Sequence, residues 1–376
     1  MKKRSNLKLG AATGLAALTG LLSFGGGAAI AEPSASYQVE TVAEGLGFPW
    51  NAAFLDDGTI LVTELDGQLR AIRDGVLDPE PITGVPDVYR ASQGGLFDVV
   101  PHPNFAENKL LYLSYAAGEP SANATRVARA TFDGTALNDL EVIYEVTPLK
   151  DTPVHYGGRI AFAPDGTLFL TTGDGFNYRE QAQVLSNTLG SIVRLNDDGS
   201  VPSDNPFVGQ EGVRPEIYSY GHRSPQGLFI MDDGRVYMNE HGPQGGDEIN
   251  LIEAGKNYGW PVIGYGIDYS GARVSPFTEM EGMEQPLKYW VPSIAPANLE
   301  LYSGSLFPAW SGDFFIAGLV PGDVRRIDLE DGDIVGEEIL FAELESRIRA
   351  IQMAPDGSLY ILTDGEGGKV LRVTPN

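Results

Sequence analysis

One pattern recurs six times along this 376-residue chain and limits what it can fold into. It is an apolar run, a turn rich in Asp, Asn and Gly, and a second apolar run. The copies are Ala52 to Leu65, Val99 to Tyr115, Ile160 to Gly175, Leu228 to Gly242, Leu306 to Leu319 and Ile351 to Gly365. Asp-Gly between apolar runs signals a hairpin, because glycine takes a positive φ without steric cost. Phe, Tyr, Val, Ile and Thr dominate the runs, as strands prefer, and long helical periodicity is hard to find. Six hairpins at a mean spacing of about 55–60 residues leave room for one four-stranded blade each. The expected fold is all-β: a six-bladed β-propeller of four-stranded antiparallel blades. A β-sandwich or two β-domains is the alternative, but no Pro/Ser linker divides the chain. The widest gap follows the fourth copy and holds Gly255 to Pro286, expected as a long loop on one face. The last apolar run, Gly368 to Val373, is expected to pair near the start of the mature chain and close the ring.

The N-terminus reads differently. Lys2, Lys3, Arg4 and Lys8 precede a short apolar run, Leu9 to Phe24, and Ala29-Ile30-Ala31 forms an A-x-A cleavage signal. Residues 1–31 therefore read as a secretory signal peptide, and 32–376 as a single propeller domain that is exported. The glycines after Phe24 and the shortness of the run argue against a retained membrane anchor. No cysteine is present, so neither disulfides nor lipid attachment through a cysteine is available. The net charge is −25, and removing residues 1–31 takes away four basic residues and no acidic one. Such a surface repels nucleic acid and anionic membranes. Arginines that converge against this background stand out.

Two runs concentrate polar and conformationally special residues: Tyr220 to Phe229 (YGHRSPQGLF) and Asn239 to Ile252 (NEHGPQGGDEINLI). They read as two loops built to hold something anionic and something cationic. Arg223 is either a surface residue or aimed into a central cavity. Glu240, Asp247, Glu248 and the carbonyls around Gly242 and Pro243 form either a solvated acidic turn or an oxygen-rich calcium loop. The spacing is not that of an EF-hand, and zinc motifs are absent. His155, in VHYGGRIAF, is either tied down in a turn or a general base, since a neutral imidazole accepts a proton near pH 7. Arg347 and Arg349 are two apart, on one face of a strand. They pair with Glu343 and Glu345, lie on a solvated edge, or clamp a polycarboxylate. The GDG and DGEGG stretches read as hairpin turns.

Eight runs in order carry a resemblance across nearly all of the mature chain: PWNAAF, QGGLFDVVPHPNF, HYGGRIAFAPDG, YGHRSPQGLF, EHGPQGGDEINLI, KNYGWP, VPSIAP and RIRAIQMAPDG. The chain resembles the soluble periplasmic aldose sugar dehydrogenases that use pyrroloquinoline quinone (PQQ), and more distantly the soluble PQQ glucose dehydrogenases. The resemblance implies a six-bladed propeller that oxidises aldoses at C1 to lactones. Hydride would pass to PQQ, and electrons to an external acceptor. His155 matches the catalytic base and Arg223 the arginine beside the reactive quinone oxygens. Gln93 matches a cofactor or substrate contact, and Ser224, next to the arginine, is a further cofactor-binding candidate. Arg347 and Arg349 match the pair on the PQQ carboxylates. The carbonyls of Gly242 and Pro243 match ligands of a Ca2+ ion that acts as a Lewis acid. For a second, structural calcium the candidates are Tyr265 and Glu284.

The chain departs from the glucose dehydrogenases at three places. Val154 replaces an aspartate before the histidine, and Ser224 an asparagine after the arginine. Val320 or its neighbour stands where they carry a lysine, so one cofactor carboxylate contact is missing or supplied otherwise. Two other readings stay open: a calcium-dependent propeller hydrolase of the lactonase type, and a non-catalytic propeller that binds carbohydrate or protein. The preferred sugar, the acceptor and the oligomeric state are not written in the sequence.

Overall fold

The computed structural model describes residues 34–376, so the expected signal peptide lies outside the described residues. They form six four-stranded antiparallel sheets, the blades of a propeller. The first strands of the blades are Pro49–Phe54, Leu96–Pro101, Gly157–Phe162, Pro225–Ile230, Pro296–Leu301 and Ile348–Met353. Each packs beside the next around a common axis. The sixth blade takes its outermost strand from the other end of the chain. Tyr37–Gly47 pairs with Glu366–Pro375, with Val39 opposite Val373 and Thr41 opposite Leu371. This is the ring closure expected from the sequence.

The Asp-Gly turns behave as their chemistry requires. Gly58 has φ +85° and lies between paired strands, where a residue with a Cβ would be strained. The aspartate just before the glycine caps the turn. Asp57 accepts the Thr59 amide at 2.9 Å, and Asp165 and Asp356 do the same for Thr167 and Ser358. The fifth copy differs from expectation. Its first strand is Pro296–Leu301, upstream of the run that begins at Leu306. Leu306 to Trp310 belongs to the connection, which ends in a short 3-10 turn, Pro308–Trp310. Phe307 and Trp310 are buried there and stack with ring centroids 4.2 Å apart. The run is apolar because it plugs the gap between blades five and six, so apolarity alone mimicked a strand.

The core lies between blades rather than in one centre. Six apolar clusters each join two adjacent blades. Leu61 and Leu69 of blade one meet Leu111 and Leu113 of blade two, for example, and Leu362 and Val370 of blade six meet Val62 and Ile72 of blade one. The central channel is tied by polar groups. Arg159 donates to Asn51 Oδ1 at 2.7 Å and to the Gln226 carbonyl at 3.0 Å, and lies 3.8 Å from Asp98. These contacts link blades one to four. Arg159 therefore holds the channel together and does not face the His155 cavity.

The apolar cluster between blades six and one supports the closure made by the strand pairing. Leu362 is fully buried in it, whereas Val335 is 54% exposed. Leu362→Ala should lower the unfolding free energy by about 2–5 kcal/mol in urea titrations, from lost burial plus a cavity. Val335→Ala should change it by under about 0.5 kcal/mol. Equal effects would contradict this packing scheme.

Candidate active site

The six first strands all begin at the same mouth of the channel. The residues just before them are therefore delivered to one place: Phe48, Gln93, His155, Arg223, Ala295 and Arg347. Each strand also carries a register shift at this end, for example between Gly157 and Ile160 and between Pro225 and Gly227. Such bulges re-aim side chains near a site.

His155 is buried and held with φ +53°. The glycine after Thr172 explains how its loop packs. A Cβ on Gly173 would lie 2.2 Å from the His155 carbonyl oxygen, so only glycine lets the two segments touch. The residue after it is Asp174. His155 Nδ1 donates to Asp174 Oδ1 at 2.6 Å, and Trp260 Nε1 donates to Asp174 Oδ2 at 2.7 Å. The Asp174 amide donates to the Arg223 carbonyl at 2.8 Å. The His155 amide donates to Gln93 Oε1 at 2.8 Å. With Nδ1–H committed to Asp174, Nε2 carries the lone pair, and it has no protein partner among the described residues. Burial holds the imidazole below its ordinary pKa, against the upward pull of Asp174. His155 is thus a neutral, oriented proton acceptor.

Arg223 stands beside it. Its Nη1 donates to the carbonyls of His241 at 3.0 Å and Gly242 at 2.8 Å. The guanidinium lies 5.3 Å from the centre of the Trp260 ring. Glu240 fixes its backbone by accepting the amides of Arg223 at 2.5 Å and Ser224 at 3.3 Å. The same carboxylate meets His222 Nδ1 at 3.1 Å, which makes His222 a buried strut. His241 Nε2 donates to the Pro296 carbonyl at 2.7 Å, and burial pushes its pKa down to about 4.

Two cavities flank these residues, with Tyr156 and Ser224 lining one and their sequence neighbours His155 and Arg223 lining the other. One, of about 380 Å³, is lined by His155, Asp174, Phe176, Arg223, Pro243, Trp260 and Tyr269. The other, of about 270 Å³, is lined by Gln93, Ser224, Arg347, Arg349, Asp364 and Arg90. Arg347 and Arg349 share Asp364: Arg347 Nε reaches Oδ2 at 2.9 Å and Arg349 Nη2 reaches Oδ1 at 3.0 Å. The sequence offered Glu343 or Glu345 as partners, but Glu343 accepts from Tyr37 instead. Burial raises the Asp364 pKa, yet the two guanidinium groups outweigh it and hold the carboxyl below its usual range. One carboxylate between two arginines leaves positive charge in the cavity for an anion.

The acidic run is mostly consumed by the fold. Asp247 accepts the amides of Gly242 at 2.9 Å, Ile294 at 2.7 Å and Ala295 at 2.9 Å, plus the Ser293 hydroxyl at 2.7 Å. Glu248 keeps acceptor capacity, since among the described residues its carboxyl accepts only from Asn250 Nδ2, at 3.3 Å. Burial, then Glu240 nearby, pushes its pKa up to about 8. It lines a small cavity with Gly242, Pro243 and Tyr265. Glu284 does not line that cavity and pairs with Lys256 Nζ at 2.8 Å. The Tyr265 hydroxyl donates to Gln285 at 2.5 Å, and its ring stacks on Tyr289. Among the described residues no three His, Cys, Asp or Glu side chains are arranged around a metal position. A calcium ion at Gly242 and Pro243 would rest on backbone carbonyls and on oxygens of a bound ligand. It would compete with Arg223 for the Gly242 carbonyl.

Sequence reasoning brought His155, Gln93, Arg223, Ser224, Gly242, Pro243, Arg347 and Arg349 to this mouth. It missed Asp174 and Asp364, which lie in GDG and TDG stretches read as plain turns. It also missed Trp260 and Tyr269, which come from the long segment after blade four's third strand.

Asp174→Asn removes the charge that supports the imidazolium and leaves burial unopposed. The His155 pKa should therefore fall further, measured by NMR of ring-labelled histidine. A rise would contradict the assigned role of Asp174.

Comparisons with known proteins identify the family and the fold. The model of the glucose/sorbosone dehydrogenase family matches residues 46–372. The chain is 39% identical over 349 residues to the aldose sugar dehydrogenase YliI of Escherichia coli (strain K12), covering 91% of this chain and 94% of that one. A crystal structure of a glucose dehydrogenase aligns at a TM-score of 0.88 and 42% identity, over 90% of this chain and 100% of that chain. The PQQ-bound form of an aldose sugar dehydrogenase from Streptomyces coelicolor aligns at a TM-score of 0.74 and 27% identity, over 92% and 100%. Because the family model matches most of the chain, from blade one to the last strand of blade six, the chain belongs to the glucose/sorbosone dehydrogenase family.

Proposed function

We propose that this protein is a PQQ- and calcium-dependent aldose dehydrogenase, oxidising the sugar at C1 to a lactone and passing electrons to an external acceptor. The observation that carries the reading is the 2.6 Å His155–Asp174 hydrogen bond at the wall shared with Arg223. It presents Nε2 as a fixed base to the larger cavity, next to a cavity rich in guanidinium groups.

Arg347 and Arg349 would hold carboxylates of PQQ, and Ser224 and Gln93 line the same cavity. The carbonyls of Gly242 and Pro243 would hold the calcium, a Lewis acid. A second, structural calcium is proposed beside Tyr265, with Glu284 reaching it only on release from Lys256. When bound, PQQ supplies the oxidant, a quinone that takes up the two electrons and the hydrogen leaving C1. His155 Nε2 accepts the proton of the C1 hydroxyl, and Asp174 stabilises the imidazolium that results. Trp260 keeps Asp174 aimed at the histidine. Arg223 offers its positive charge to oxygen atoms that gain negative charge as C1 is oxidised. The aromatic rings of Phe176 and Tyr269 suit the apolar face of a pyranose. We further propose that residues 1–31 direct export to the periplasm, where an acidic, cysteine-free chain is at no disadvantage.

The hydrolase reading calls for carboxylates and asparagines converging on a metal. The cavity is lined instead by three arginines, and two of them already share its one carboxylate. That favours binding of a polycarboxylate.

Purified protein supplied with PQQ and Ca2+ should reduce a redox dye when an aldose is added. His155→Ala should keep PQQ affinity while kcat falls by about two to four orders of magnitude, as loss of a general base would. Dye reduction that is absent in the wild type, or unchanged in the variant, would sink the reading. In the wild type, kcat/KM should already be on its upper plateau at pH 7. The limb lost on acidification should lie below the ordinary histidine pKa, because burial favours the neutral ring.

A further inference from the structure

We infer that Arg90 is a third binding residue for the carboxylates of the quinone cofactor, an inference that rests on the PQQ reading above. Arg90 lies in the loop that enters blade two, three residues before Gln93. It lines the 270 Å³ cavity with Arg347 and Arg349, which come from blade six on the opposite flank of Phe48. Three guanidinium groups thus face a space whose lining holds one carboxylate, Asp364, and that carboxylate is shared by the other two arginines.

The hydrogen bonds of Arg90 leave one nitrogen uncommitted. Nη1 donates to the carbonyls of Ser92 at 2.8 Å and Gly94 at 3.1 Å. Nε meets Asp66 at 2.6 Å. Nη2 has no partner among the described residues. The guanidinium lies over the Phe48 ring, 5.4 Å from its centre. Asp66 is half exposed, so water screens its pairing and it neutralises Arg90 weakly. The group is therefore held in position while a donor and most of its charge remain available.

PQQ carries three carboxylates, and two arginines that already share Asp364 do not match them in charge. Val320, where the sequence comparison left a cationic contact wanting, is half exposed and brings no charge. Arg90 supplies that contact from the other side of the cavity. Its two backbone bonds strap the turn that presents Gln93. Cofactor binding through Nη2 would thus also fix the residue that accepts the His155 amide.

The test is an equilibrium titration of calcium-loaded protein with PQQ, followed by quenching of tryptophan fluorescence, since Trp50 lines the cavity. The trimethyl ester of PQQ, which has no carboxylate charge, is titrated in parallel. Arg90→Ala should weaken PQQ binding about 10- to 100-fold, the loss of a hydrogen bond between charged groups. It should leave ester binding within about 2-fold, and Arg90→Lys should recover part of the loss. Equal affinity of Arg90→Ala and wild type for PQQ would overturn the inference. So would an equal loss for PQQ and ester, which would mean that Arg90 only holds the loop. Failure of the wild type to bind PQQ would overturn the cofactor reading itself, and this inference with it.

Discussion

The pairing of Tyr37–Gly47 with Glu366–Pro375 is the contact on which the rest depends. It fixes the first and last blades side by side, which forces six first strands into a ring. Because each blade is entered through its innermost strand, every entering loop opens on one mouth. His155 in blade three's loop, Arg223 in blade four's loop, and Arg347 and Arg349 at the start of blade six are thereby all brought to that mouth. No local feature of those loops brings them together. The apolar clusters between blades stiffen the ring, and the register shifts at the mouth turn the loop residues inward.

Charge inside this acidic molecule is placed with economy. Glu240 and Asp247 hold backbone amides of the loops around Arg223 and Gly242. Asp174 orients the base, and Asp364 keeps two like charges together. Each of these carboxylates accepts several donors, which stabilises a buried anion. Removing any one would free the groups it holds, so their effects reach the site without direct contact with a substrate. His155 Nε2, the Arg90 Nη2 group and the arginine pair keep spare capacity and border the two cavities.

The fold was legible because the Asp-Gly turn repeats and each copy obeys the same chemistry. The fifth copy shows the limit. Phe307 and Trp310 are apolar to fill an interblade gap, and a linear reading took them for a strand. The site was legible where a run broke the repeat with unusual residues, as at His155, Arg223 and Arg347. Asp174 and Asp364 were hidden by the opposite cause. Their local sequences are those of ordinary hairpin turns such as Asp57-Gly58, and only the ring places them against a histidine and two arginines. Trp260 and Tyr269 lie in a segment without repeat or strand pattern, so nothing in the sequence tied them to the mouth.

In the proposed reaction a sugar held near His155 would lose its C1 hydrogen to a quinone bound between the arginines. The most direct measurement is the single-turnover spectrum of PQQ-loaded protein mixed without oxygen with an aldose, and again with the same aldose deuterated at C1. The oxidised quinone band should disappear, more slowly with the deuterated sugar. A band that persists, or disappears at the same rate with both sugars, would contradict it.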